Sequence, residues 1–269
     1  KKEYKVKYHG KTITSPYKID PRWSEESPHE EGHATHLWIV NRAIDILSRT
    51  SNKDVNSKET EMLNAWRSSW EQGLYDADHT NPYYNFGTFA SHFYDPDTKS
   101  NWLDTSGTAL TEGSRYFALA GKYYQNGDKE KAFYYLGLSL HYLTDVTQPM
   151  HAANFTWLNW PTSFHGKFED YTDDIQGNYA VTDGEGYWDF QDSNPEHWIH
   201  QAAVDAKAEF PNIHTSDITK WFLAAAVSDY YSDKWHKAVQ PTIEHRLTEA
   251  QRITAGYLHL WFKTYVDNQ

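Results

Sequence analysis

Residues 128–151, DKEKAFYYLGLSLHYLTDVTQPMH, decide the fold. The stretch follows a short turn, has helical apolar spacing, and is broken by Pro149, which cannot continue a helix. Its apolar flank reads as the end of a buried helix. Yet it carries His141, Asp145 and His151, which a core accepts only with partners. His141 and Asp145 stand at i and i+4, so on a helix they project from one face about one turn apart. Two readings stay open at this point. One is a hydrogen-bonded core pair, the commoner use of such spacing. The other is a pair of ligands that grip one ion.

Outward from this stretch, helical spacing dominates. THLWIVNRAIDILSRT, residues 35–50, runs apolar at Leu37, Ile39, Val40, Ala43, Ile44, Ile46 and Leu47, with Thr35 as the expected N-cap. Residues 56–78 place Leu63, Trp66, Trp70 and Leu74 on one face of a single expected helix. TALTEGSRYFALAGKYYQNG ends at Asn126-Gly127, a C-terminal stop. Further helices are expected near 195–209, 215–235 and 241–266. No clean alternating strand and no repeat is found. Two loop-rich stretches, 76–105 and 151–194, interrupt the helices, and long loops in a compact domain are often functional. The expectation is an all-α fold: one compact domain of seven to nine helices.

Composition narrows the chemistry. The chain has 269 residues, enough for a substantial core, and aromatics make up 16% of it, too many for a disordered chain. It has no cysteine, which removes disulfides and thiolate zinc sites. No run of about 18 apolar residues exists, so no membrane span is expected. The net charge of −12 disfavours a long nucleic acid as partner. That charge is uneven. Residues 1–22 hold seven basic and two acidic residues, +5, which leaves −17 for the remainder. This segment lacks the apolar stretch of a signal peptide. It reads either as a flexible arm or as a pro-segment ending at a cleavable Arg22–Trp23 bond.

The i, i+4 pairing recurs. FHGKFED places His165 and Glu169 one turn apart, and His151 lies just past the Pro149 break. His33 and His36 open the first helix, His92 sits in FASHFYDPD, and YDADH supplies Asp76, Asp78 and His79. A bundle can converge such residues from facing helices. The donors are nitrogen and oxygen without sulfur, which suits zinc, manganese or iron. There are more candidates than one four-coordinate ion needs. Spacing alone therefore points to a multinuclear metal site and to hydrolysis of a phosphodiester.

The motifs WSEESPHEEGHATHLWIVNRAIDIL, NPYYNFGTFASHFYDPD, YYLGLSLHYLTDVTQPMHAANFT and FHGKFEDYTDDIQGNY resemble the zinc-dependent bacterial phospholipase C family. These are the secreted enzymes of bacilli and listeriae, and the resemblance runs from Trp23 to the C-terminus. It implies a compact all-α domain over 23–269 with a trinuclear zinc cleft. One zinc would take Asp78, His92, His141 and Asp145. Asp145 would bridge to a second, held also by His36 and by the amine and carbonyl of Trp23. The third would take His151, His165 and Glu169. Because the Trp23 amine is a ligand only once freed, residues 1–22 become a basic pro-segment and the chain a proenzyme awaiting a protease. A peptide nitrogen has no lone pair to offer, whereas a free α-amine with pKa near 8 does.

The implied substrate is phospholipid in membranes or micelles, cleaved to diacylglycerol and a phosphorylated head group by an extracellular monomer. Asp78 is the implied general base, and His79 a nearby alternative proton carrier. Glu26 and Phe89 match positions that face choline, as a carboxylate and an aromatic face suit a quaternary ammonium. The third such position is tyrosine in the bacillus enzymes and His79 here. That departure resembles the broad-range branch and widens the expected head groups. The rival enzyme is a zinc-dependent single-strand nuclease, whose match to WSEESP and HYLTDVTQPMHAANFT is weaker. His29, His33, His197, His200, His214, His236, His245 and His259 read as surface or hydrogen-bonded residues. Most Trp and Tyr read as core, with Trp157 and Trp160 candidates for a membrane interface.

Overall fold

The computed structural model describes residues 4–8, 11–15, 28–32, 34–80, 82–83 and 89–267. Trp23, Glu26, His33 and the Arg22–Trp23 bond lie outside the described residues. Among the described residues, ten α-helices carry the fold: α1 Thr35–Arg49, α2 Ser57–Ala65, α3 Arg67–His79, α4 Ala109–Gln125, α5 Lys129–Val146, α6 Pro149–Ala152, α7 Phe164–Ile175, α8 Pro195–Ile213, α9 Ser216–Ala224 and α10 Asp229–Tyr265. The all-α expectation holds for this body, with one more helix than the upper expectation. No helix among the described residues is long and apolar enough to cross a membrane.

The opening stretch is the central element. α5 begins at Asp128, whose side chain accepts from Lys131 N at 3.1 Å as an N-cap. Leu136, Leu138, Leu140, Leu143 and Val146 are fully buried, so the helix is apolar almost all round in its second half. It packs between α3 and α4. Gly137 and Gly73 set the α3–α5 approach. A Cβ at Gly137 would collide with the Trp70 carbonyl, and one at Gly73 with the Tyr134 carbonyl. The two backbones therefore lie close enough for α3 and α5 to share polar contacts.

Two apolar clusters flank that centre. The larger joins α1, α3, α4, α5, α8 and the end of α10, including Trp70, Phe117, Phe133, Tyr257 and Trp261. The second gathers Trp38, Met150, Phe164, Phe168, Phe222, Trp235 and Ile243 from α1, α6, α7, α9 and α10. α1 contributes to both, which puts His36 between them.

Four local expectations are corrected. Thr35 is the first residue of α1, not its N-cap; Ala34 takes that place and the Thr35 hydroxyl donates to Asp173 instead. The single helix expected over 56–78 is broken at Trp66, because the Trp70 indole donates to the Leu63 carbonyl at 2.7 Å and takes up an acceptor that the break frees. The helices expected at 215–235 and 241–266 are instead a short α9 and a 37-residue α10 running through Pro241. Trp235 and Val239 before Pro241, and Ile243 and Leu247 after it, pack into the same cluster. That burial outweighs the roughly 3 kcal/mol cost of an internal proline. Finally, Tyr4–Tyr8 and Lys11–Ser15 form an antiparallel two-stranded hairpin with Val6 opposite Ile13. The signal was the period-two alternation of Tyr4, Val6 and Tyr8 with lysines, masked by the density of charge.

Candidate metal centre

Six elements deliver the described candidate ligands to one buried region. α1 supplies His36, α3 supplies Asp78, a 3₁₀ turn Phe89–His92 supplies His92, and α5 supplies His141 and Asp145. α6 supplies His151, and α7 supplies His165 and Glu169. All eight are buried. The turn into α6 is local chemistry: Gln148 caps the helix by accepting from Met150 N at 2.5 Å, and Pro149 takes the first helical position.

Asp145 is the hub. His92 Nδ1 lies 2.7 Å from its Oδ2, His141 Nε2 3.2 Å from Oδ2, and His36 Nε2 3.3 Å from Oδ1. Asp78 Oδ2 is 3.9 Å from His141 Nε2. A second group forms around Glu169, with His165 Nε2 at 3.0 Å and His151 Nε2 at 3.6 Å. His36, His141 and Asp145, and separately His151, His165 and Glu169, each offer donor atoms within 4.8 Å of one another.

The outer nitrogens of the rings settle what the inner ones can do. His141 Nδ1 bonds Leu74 O at 3.0 Å, His151 Nδ1 bonds His92 O at 2.7 Å, and His165 Nδ1 bonds Phe155 O at 2.7 Å. A carbonyl only accepts, so each Nδ1 carries the hydrogen. His36 Nδ1 bonds Thr144 Oγ1 at 2.5 Å, whose own hydrogen goes to Leu140 O. In a neutral ring the Nε2 then holds a lone pair. Nε2 of His141, His151 and His165 make no hydrogen bond, nor do both oxygens of Asp78 and Oδ1 of Asp145. Lone pairs facing carboxylates at 3.0 to 3.6 Å in a buried core call for a cation between them. Each buried polar atom left unmet costs about 1–3 kcal/mol. Second-row nitrogen and carboxylate donors, oriented by carbonyls behind them, fit zinc.

Without an ion, protons must serve as the cations. Burial pulls His141 down, but Asp145 and Asp78 outweigh it and raise it to about 9. Burial and the positive His141 push His36 down to about 4. Burial opposes ionisation of Asp145, yet His141 and His92 hold its carboxyl well below the usual range. Glu169 is lowered in the same way, burial being outweighed by His165 and His151, and Asp78 by His141 and His79. The carboxylates thus stay ionised, and a metal ion competes with ring protons for the same site.

The expected substrate contacts divide. His79 stacks on Tyr75 at 3.7 Å and its Nδ1 bonds Tyr75 O at 2.8 Å. The same Nδ1 lies 2.5 Å from Asp78 Oδ1, close but off the N–H axis that Tyr75 takes. Phe89 is 1% exposed and packs with Phe93, Trp102 and Trp157. Asp76 is satisfied by Gln72, Thr80 and the Tyr134 hydroxyl and stays outside the centre. The other described histidines behave as expected: His200 bonds Tyr94, His197 bonds Asp192, and His245 bonds Glu209. Thr144 and Gln148 were missed. Gln148 donates to Glu169 at a long 3.4 Å. Thr144 stands three residues past His141, a helical signal for a neighbour of that face. The supporting carbonyls of Leu74, His92 and Phe155 leave no trace in side-chain identity.

Comparison with known proteins gives consistent matches. The model of the family described as zinc dependent phospholipase C matches residues 35–217. A phospholipase C of Bacillus cereus is 53% identical over 253 residues, covering 94% of this chain and 89% of its own. A phospholipase C of Listeria monocytogenes is 36% identical over 262 residues, covering 94% and 87%. Among solved structures, the alpha toxin of Clostridium absonum superposes with a TM-score of 0.71 at 24% identity, covering 88% of this chain and 65% of the toxin. That last likeness concerns the fold.

Proposed function

The chain belongs to the zinc-dependent phospholipase C family, and from that premise we propose that it hydrolyses phosphatidylcholine and other glycerophospholipids to diacylglycerol and a phosphorylated head group. The observation that carries the site assignment is the set of buried Nε2 atoms turned inward by carbonyls on their far sides. Three zinc ions would be held: one by Asp78, His92, His141 and Asp145, one by Asp145, His36 and Trp23, and one by His151, His165 and Glu169. Zinc, when bound, supplies Lewis acidity to the phosphodiester and to the attacking water.

The chain's own groups do the rest. Asp145, contacted by three imidazoles, holds its charge and ties the α1, α5 and 92 segments together. Asp78 offers two buried oxygens with no hydrogen bond, and so can orient a water and accept its proton. His141, and after it His79, holds that carboxylate ionised. Glu26 and His79 would face the head group, with His79 in place of an aromatic wall broadening the choice of head group, and Phe89, packed on Phe93, Trp102 and Trp157, would close the pocket from behind. Residues 1–22 would be a pro-segment, the enzyme a secreted monomer, and cleavage after Arg22 by a protease the step that frees the Trp23 amine.

The test compares the intact chain with the chain cut at Arg22, by zinc content and by turnover on phosphatidylcholine, phosphatidylethanolamine, phosphatidylserine, sphingomyelin and single-stranded DNA. More zinc and faster lipid turnover after the cut are expected. Equal zinc and equal turnover would remove the proenzyme reading. Cleavage of choline lipids alone would remove the broad range, and cleavage of DNA in preference to lipid would overturn the function.

A further inference from the structure

Five large apolar side chains are exposed among the described residues; two of them, Trp160 and Leu223, line one depression, and two more, Val227 and Tyr230, follow Leu223 directly in the chain. Trp160 is 66% exposed, Leu223 45%, Val227 91% and Tyr230 66%; the fifth, Val204, lies on α8. Leu223 ends α9, Val227 sits in the turn after it, and Tyr230 opens α10. Trp160 comes from the loop before α7, and with Leu223, Lys220, Thr219 and His214 it lines a depression of ≈ 730 Å³. Water gains nothing from these side chains, and a helix turn does not require Val or Leu at its tip. A gathered apolar patch on a protein surface marks something that covers it.

We infer that this patch, Trp160 with Leu223, Val227 and Tyr230, is the face by which the enzyme docks on a zwitterionic phospholipid surface, an inference that rests on the lipid reading proposed above. Two observations point to this occupant. The first is continuity with the metal centre. The loop that carries Trp160 also carries Trp157, whose ring lies 3.9 Å from His165. His214, in the depression, lies 4.8 Å from Phe155, whose carbonyl orients His165. The patch is therefore joined to the candidate metal group through the Trp157–Trp160 loop and through Phe155. The second is charge. Lys220, Lys234 and Lys237 equal Asp217, Asp229 and Asp233 in number, so the segment 216–237 that carries Leu223, Val227 and Tyr230 has no net charge within a chain of net charge −12. A neutral apolar face meets a zwitterionic surface without repulsion, and indole and phenol rings favour the head-group boundary. Lys234 lies over the Trp221 ring at 4.6 Å and 5.8 Å from the Tyr230 ring, which sets an ammonium beside the patch.

The structure also separates the two tryptophans that the sequence left together. Trp157 is 5% exposed and packs on Phe93 and His165, so it supports the site, while Trp160 faces out.

The test sediments the full, zinc-loaded chain with vesicles of phosphatidylcholine alone. Trp160→Ala and the pair Leu223→Ser with Val227→Ser change exposed side chains and should leave the fold intact, read by circular dichroism and zinc content. Vesicle affinity should fall by at least about ten-fold in each. Hydrolysis of a short-chain phosphatidylcholine kept below its micelle concentration, by the same proteins cut at Arg22, should stay within about two-fold of the wild type. Unchanged vesicle affinity in both variants overturns the docking face, as does a wild-type dimer that Trp160→Ala dissolves while vesicle binding persists. If the wild type sediments with vesicles but cleaves neither vesicle nor monomeric lipid, the phospholipase reading falls and the docking face stands.

Discussion

Among the described residues, histidine and carboxylate meet in two regions, and these differ in what stands behind the rings. In the centre built on α5, each of His141, His151 and His165 spends Nδ1 on a backbone carbonyl and turns a lone pair toward Asp145 or Glu169. At the other end of α10, His259 points Nδ1 itself at both oxygens of Glu59, at 3.1 and 3.0 Å. Glu59 also accepts from Asn56 N at 3.2 Å, which closes the capping box of α2. Asp267 makes this a third group with donor atoms within metal-binding reach of each other. Residue type alone does not separate the two. The backbone behind the rings does: carbonyls hold His141, His151 and His165 from their far sides, as the proposed ligand set requires, whereas His259 spends its Nδ1 on Glu59 and ties α2 to α10.

The largest expected effect falls on the first cluster. His141→Ala should lose zinc and nearly all turnover, exceeding the about 10–100-fold loss typical of a supporting partner; metal analysis and a lipid assay read it. Retention of full zinc content would break the comparison. Next comes the backbone that brings the cluster together. Gly137→Ala forces α5 off the Trp70 carbonyl and should cost about 1–3 kcal/mol or more, read by denaturant unfolding of the zinc-loaded protein. Thr144→Val removes the acceptor behind His36 and should weaken zinc by roughly 10–100-fold without unfolding the protein, measured by chelator competition.

The smallest effect should come from the second cluster. Burial raises Glu59 to about 7, and Asp267 beside it adds to the rise against the pull of His259. The folded protein thus holds this proton more tightly than the unfolded chain, whose carboxyl titrates near 4.5. The contribution is present in full below about 4.5 and is lost as pH rises toward 7. Glu59→Gln keeps the capping box, so it should flatten the wild-type fall in stability across that window and leave zinc content unchanged. Denaturation of both proteins at three pH values checks the slope, and a loss of zinc in the variant would make this cluster a ligand set after all.

The sequence by itself determined the helical class and most of the polar cast. Helical period fixes which residues share a face, so His141 with Asp145 and His165 with Glu169 were legible as pairs, and Pro149 was legible as the break that lets His151 turn elsewhere. Resemblance then joined them to His36, Asp78 and His92. Only the tertiary structure decided how each ring is oriented, because the carbonyls of Leu74, His92 and Phe155 that do it belong to any residue and come from other segments. It also decided that Trp66 breaks a helix and Pro241 does not, since both outcomes depend on what the neighbouring side chains pack against. The same holds for Trp157 and Trp160: their places in the sequence are alike, but the 89–93 segment and His165 of α7 bury the first, while the second faces water beside α9. Period is a property of one element; burial and orientation belong to what several elements share.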